Sequence, residues 1–496
     1  MAKTRASGKT NGDSSEPGSP KTPKKVPMSP KSTPRKKKEV AEKHMNGNGS
    51  TPEKLIAQTG KTWGRARDVS TGTIIGSALI MLLCPLLVIY FYISCHSFQC
   101  ELVAPATTAY DLGLVKFAQT YFPKPTTAGF QLYFAWLLFQ IALAVFLPGK
   151  IGYGQMTPAG FTLPYIVNGL LAWFVTHGLF FGLSLGLGLF PASIIYDNWA
   201  GLIVAANLYG YLLTAFCFAK AHYFPTHAAD RKFSNSWIYD LYMGIEFNPR
   251  IGMLDFKLFH NGRPGIVAWT LIDLSFAAAQ YAKIGYVTNQ MILINIFHAM
   301  YVLDFFYNED WYLRTIDIAH DHFGFYLSWG DTVWLPTMYT FQSHYAVINP
   351  VDLSTPYVIG VLVLGFGGYF IFRSVNDQKD KVRASNGHIK IWGKPAKVIR
   401  TEYTTSDGKL HKSLLLISGY WGLSRHFNYV GDLMISMAMC MSCGTKHLSA
   451  YFYIIYMTWL LLDRIYRDDH RCRAKYGKYW DQYIKAVPYK LIPYVF

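Results

Sequence analysis

The sequence predicts an all-α membrane protein: a polytopic bundle of about ten transmembrane helices behind a disordered basic tail. Three observations carry that expectation. Of 496 residues, 51% are hydrophobic and only 16% charged, a low share for a soluble chain. Residues 71–95, TGTIIGSALIMLLCPLLVIYFYISC, carry no charge, and a run of about 25 residues crosses a hydrocarbon core of roughly 30 Å as a helix. Further apolar segments recur at 129–148, 161–190, 199–219, 265–282, 286–306, 332–348, 356–372, 429–446 and 449–463.

In chain order, residues 1–70 form the tail. They hold 16 Lys or Arg against 6 Asp or Glu, most of the excess behind the net charge of +17. Rich in Lys, Pro, Ser and Gly, they bury too little apolar surface to order. They read as a solvated segment drawn to anionic lipid, ahead of a nucleic-acid contact. Ser19-Pro20, Thr22-Pro23 and Ser29-Pro30 suit phosphorylation. The first apolar run lies too far from the N-terminus for a cleaved signal and reads as an internal anchor. The positive-inside rule then places the tail in the cytosol. An even number of spans puts the basic connections 220–264 and 373–413 and the C-terminus there too. Seven Cys, several inside apolar runs, make no disulfide framework, and Cys440 and Cys443 read as helix packing.

Chemistry concentrates where polar segments adjoin apolar ones, because charge beside lipid is expensive and usually marks a site. If the last apolar helix continues into the interface, Asp468, Cys472, Lys475, Tyr476 and Tyr483 fall near one face, with Arg467, Arg471 and Arg473 around them. Cations, a carboxylate and phenols together can clamp phosphate and stack a ring. The same helix could instead read lipid headgroups. Lys379 and Arg383 share a face four residues apart, and Trp421, Asn428 and Tyr429 add stacking and amide-type hydrogen bonds. These groups suit an anionic, aromatic cofactor. There is no GxGxxG after a strand and no P-loop, so a dinucleotide would need a pocket made by helices. WIYDLYMGIEFNPR (237–250) reads as an ordered loop. In YNEDWYLRTIDIAHDHFGFYLSWGD (307–331) the HDH triplet lacks a partner cluster at ligand spacing, so no metal is expected. Asp273 and His298, inside spans, read as interhelical hydrogen bonders.

WIYDLYMGIEFNPR and LLLDRIYRDDHRCRAKYG, in that order and joined by GYWGLSRHFNYVGDL, resemble the signatures of the sterol reductase family, which also includes the lamin B receptor; the likeness covers about residues 70–496. Phe427 stands where the C-14 branch tends to have Pro, and favours the delta-7 branch. The resemblance implies NADPH-dependent reduction of the sterol C7–C8 double bond, with the cofactor pocket formed mainly by 373–496. It implies cofactor contacts from Lys379, Arg383, Leu416, Trp421, Asn428, Tyr429, Asp468, Cys472, Arg473, Lys475, Tyr476 and Tyr483. It further implies a sterol drawn from the bilayer, an endoplasmic reticulum location, and membrane lipids and other sterol-biosynthesis enzymes as partners. A conjugated diene has no carbonyl to accept hydride, so protonation at C8 must first create an allylic cation. Glu309, Tyr326 and Asp331 are the candidate acids, as membrane-proximal donors. Reduction at C-14 or C-24(28), or a tethering role like that of the lamin B receptor, stands as the alternative. The tail is too short and polar for the folded domain that such a tether carries.

Overall fold

The computed structural model describes residues 65–405 and 408–496; expectations about the tail before Arg65 lie outside them. The helices that build the bundle are α1 (Thr71–Ser97), α2 (Thr127–Phe146), α3 (Gly169–Phe181), α4 (Trp199–Tyr223), α5 (Ala268–Ile284), α6 (Asn289–Tyr307), α7 (Phe341–Ile348), α8 (Thr355–Ala384), α9 (Phe427–Met441), α10 (Phe452–Tyr476) and α11 (Lys478–Ala486). α1, α2 and α6 start on side-chain caps: Ser70 accepts from Thr73 N at 3.2 Å, Thr126 from Gly129 N at 3.1 Å and Thr288 from Met291 N at 3.3 Å.

Among the described residues, six helices are long and apolar enough to span a membrane: α1, α2, α3 with its continuation to Gly186, α4, α6 and α8. The other four expected segments are helical but do not meet that standard. At 17 and 15 residues, α5 and α9 are short. The 332–348 segment breaks into a wide turn at Gly330–Trp334, a turn of helix at Leu335–Met338 and α7. Polar residues fill the second half of α10.

Three features position the site. First, α8 and α9 pack backbone to backbone: a Cβ on Gly431 would stand 2.6 Å from Gly368 O, the close approach that small residues permit in membranes. Second, the connection after α8 folds into an antiparallel hairpin, β1 (Val398–Thr404) with β2 (Leu410–Leu416), in register from Val398 opposite Leu416. Third, the 220–264 connection is tied down by buried ion pairs, Lys220 with Glu246 and Arg250 with Asp255, both at 2.9 Å. Arg65 pairs there with Asp240. Deep in the bundle, His298 Nδ1 meets Asp273 at 2.9 Å.

Cys95 and Cys100 form one disulfide at the end of α1, while Cys440 and Cys443 are free and buried. Gln99 O accepts from Asn349 at 2.9 Å and Cys100 O from Ser449 at 2.7 Å, so the bridge lies where α8 and α10 begin. Helices of 30 and 25 residues carry the chain roughly 40 Å from there to their basic ends.

Candidate active site

A cavity of about 960 Å³ runs between the ends of α8, α9, α10 and α11 and on into the bundle. One end is charged. Lys379 and Arg383 line it from α8, which extends past its apolar part to Ala384 and so keeps both on one face. The Lys379 ammonium lies 4.0 Å above the Trp421 ring, whose Nε1 donates to Val375 O at 2.8 Å. Asn428 and Tyr429 enter from the first turn of α9, and the Asn428 side-chain oxygen is buried without a partner.

From α10 come Asp468, Cys472, Lys475 and Tyr476. Asp468 accepts from Arg471 at 2.6 Å and from Cys472 Sγ at 3.7 Å. Burial favours its neutral form, but Arg471 and His426 override that and hold the carboxyl at about 2. Burial, reinforced by Arg471, pulls the Lys475 ammonium down to about 7, and it sits 4.1 Å above the Tyr403 ring.

The stripe expected on one helix divides in two. Gly477, at φ 51°, ends α10, and α11 turns back to present Tyr483 to the same cavity. Leu416, which charge and spacing did not single out, lines the wall from β2. Arg473 does not line the cavity. It is about half exposed and bonds Asp481 at 2.6 Å.

The other end lies among membrane helices. Tyr326 and Asp331 line it. The Tyr326 oxygen accepts from Arg467 at 3.2 Å, and Arg467 is held by Asp321 at 2.8 Å. Of the HDH triplet, His320 bonds Asp321 within this network, while His322 bonds Ile245 O outside it. Asp331 Oδ1 accepts from Asn261 at 2.9 Å, and Oδ2 is buried without a partner. Glu309 is off the cavity, accepting from Gly169 N at 2.8 Å and pairing with Arg263 at 3.6 Å.

Between the two ends Arg464 bonds Asp317 at 2.7 Å. Both line the cavity, as do Asn261, Trp269, Tyr301, Tyr339 and Tyr456. Sequence reading missed these. Arg464, one turn before Asp468, had a visible signal; the aromatic residues had none.

The ergosterol biosynthesis ERG4/ERG24 family matches residues 65–496, and the chain belongs to it. It is 50% identical over 467 residues to the 7-dehydrocholesterol reductase of Xenopus laevis, covering 90% of this chain and 98% of that protein. It is 48% identical over 465 residues to the 7-dehydrocholesterol reductase of Danio rerio, covering 91% and 97%. The Delta(14)-sterol reductase of Methylotuvimicrobium alcaliphilum (strain DSM 19304 / NCIMB 14124 / VKM B-2133 / 20Z) is 39% identical over 423 residues, covering 84% and 94%.

Proposed function

We propose that the protein reduces the C7–C8 double bond of 7-dehydrocholesterol-type sterols with NADPH, in the endoplasmic reticulum membrane, with both termini cytosolic. The observation that carries this reading is the single cavity that joins a cationic end to an aromatic, membrane-embedded one. A charged dinucleotide and an oily ring system can meet there. The identity to two proteins named for the delta-7 reaction supports the choice of bond.

The charged end fits a phosphorylated dinucleotide. Lys379, Arg383, Arg400, Lys412, Arg471 and Lys475 outnumber Asp380, Glu402 and Asp468 in its walls, and Asn428 keeps a buried acceptor oxygen open. In this reading the cations hold the phosphates, and Trp421, Tyr429 and Tyr476 contribute ring and hydroxyl contacts. Bound there, the cofactor supplies hydride.

Asp331 leads the candidate acids, because its one hydrogen-bond partner is the neutral Asn261 amide, and a buried carboxyl without a cation at bonding distance keeps its proton. Its proton adds to C8, the allylic cation at C7 accepts hydride, and the carboxylate is reloaded from water. Tyr326, already accepting from Arg467, is the second candidate. Glu309 has a structural place beside Arg263. Phe427, the residue that separated the family branches, packs on Tyr420 at 5.6 Å and does not line the cavity. It carries no contact argument for the substrate.

Membranes containing the protein, given NADPH and a panel of unsaturated sterols, test the proposal by mass spectrometry. Gain of two hydrogens across C7–C8 is expected. Product reduced only at C-14 or C-24(28) would move the assignment to that bond, and no turnover on any sterol would overturn it.

A further inference from the structure

The sterol end of the cavity has a wall of interlocked rings. Trp269 lies 5.5 Å from Tyr301 and 5.3 Å from Tyr339, centroid to centroid. Tyr339 lies 6.0 Å from Tyr456, which lies 5.0 Å from Trp334. All five rings line the cavity, although they come from α5, α6, the 330–340 segment and α10. Asp331 and Trp334 are three residues apart on one winding of the chain, so this wall begins beside the leading acid.

We propose that this wall stabilises the carbocation formed when the diene is protonated, making Trp334 and Tyr339 catalytic residues, with the fully buried Trp269 packed behind Tyr339 as a positioning residue. The inference rests on the reduction proposed above. The faces of aromatic rings are electron-rich and attract a cation within about 6 Å, most strongly where water is excluded. A neutral sterol gains no such attraction, so the interaction is larger in the transition state than in the ground state, which is the condition for accelerating a step. Protonation breaks the acid O–H bond and the C7–C8 π bond and forms C8–H. The positive charge is shared between C7 and C5 until hydride arrives at C7. Arg464, at the junction, is paired with Asp317 at 2.7 Å, so its field opposes the nascent charge less.

The test replaces Trp334 with trifluorotryptophan, which nearly keeps the shape and drains charge from the ring face. Tyr339→Leu and Tyr339→Phe accompany it. Binding is measured for a B-ring azasterol carrying a protonated amine and for its neutral N-acyl counterpart, alongside turnover. Fluorination should weaken the charged probe by about tenfold and slow turnover in parallel, while the neutral probe moves less than about twofold. Tyr339→Phe should retain most of the rate and Tyr339→Leu lose it. Equal weakening of both probes, or unchanged charged-probe binding in enzyme that still turns over sterol, overturns the inference. Failure of the unmodified protein to reduce any sterol would instead count against the reaction itself.

Discussion

The two ends of the cavity are built in opposite ways. The charged end comes mainly from α8, the β1–β2 hairpin, α9, α10 and α11, close together in the last quarter of the chain. The aromatic end gathers side chains from residue 261 to residue 460, spread over the 261–269 winding, α6, the 326–339 segment and α10. Binding an anion needs a local density of charge, which one helix and its neighbour supply. Enclosing a rigid apolar molecule needs surfaces from several directions, which only the tertiary fold brings together.

The contrast breaks most sharply at Asp331. Asp331→Asn should lower turnover roughly 10²- to 10⁴-fold while NADPH and sterol still bind; unchanged turnover would remove Asp331 as the proposed acid. Glu309→Gln should act on stability instead, since weakening a buried pair costs roughly 3–5 kcal/mol at most. A lower melting temperature in detergent, with normal turnover per folded molecule, is the expected pair of results. At the charged end, Arg383→Leu should weaken NADPH by about tenfold or more, as loss of a charged hydrogen bond does, raising KM for NADPH with little change in kcat.

Titration sharpens the same contrast. Lys475, held at about 7 by burial and by Arg471, binds phosphate only when protonated, and a bound phosphate favours that form. Binding should therefore take up a proton. NADPH affinity should be flat below pH 7 and fall above it, by up to about tenfold per pH unit for this one group, and Lys475→Met should make the fall shallower. Arg473→Ala should be the mildest change, less than about twofold in NADPH affinity, because this half-exposed side chain is engaged with Asp481.

What the sequence disclosed follows the same division. Spacing on α8 and α10 exposed Lys379, Arg383, Asp468, Cys472 and Lys475, because a helix repeats every 3.6 residues and charge near lipid is rare enough to notice. Tyr483 fell to the same reading for an incomplete reason: Gly477 bends the chain, and α11 brings the residue back. Leu416 came only from family likeness, since an apolar side chain in a hairpin carries no signal. The ring wall was illegible. With 35 Tyr, 33 Phe and 13 Trp in the chain, no single aromatic residue stands out until the fold shows which five meet. Glu309 illustrates the converse: its carboxylate suggested an acid from sequence, and the structure sets it beside Arg263 and Gly169, off the cavity. The short and broken spans had a similar cause: hydropathy marks what is buried, and α5, α7 and α9 are apolar because they pack in the bundle.

The Cys95–Cys100 bridge makes the direction of insertion chemically visible. A disulfide persists in an oxidising lumen and is reduced in the cytosol, and this one lies at the opposite end of α8 and α10 from Lys379 and Lys475. With the termini cytosolic, as proposed above, the bridge faces the lumen, and a correctly threaded molecule carries a stamp that an inverted one lacks. Denatured without reductant, it should resist alkylation at both cysteines, so a mass measurement on a single peptide can count how many molecules entered the membrane the right way round.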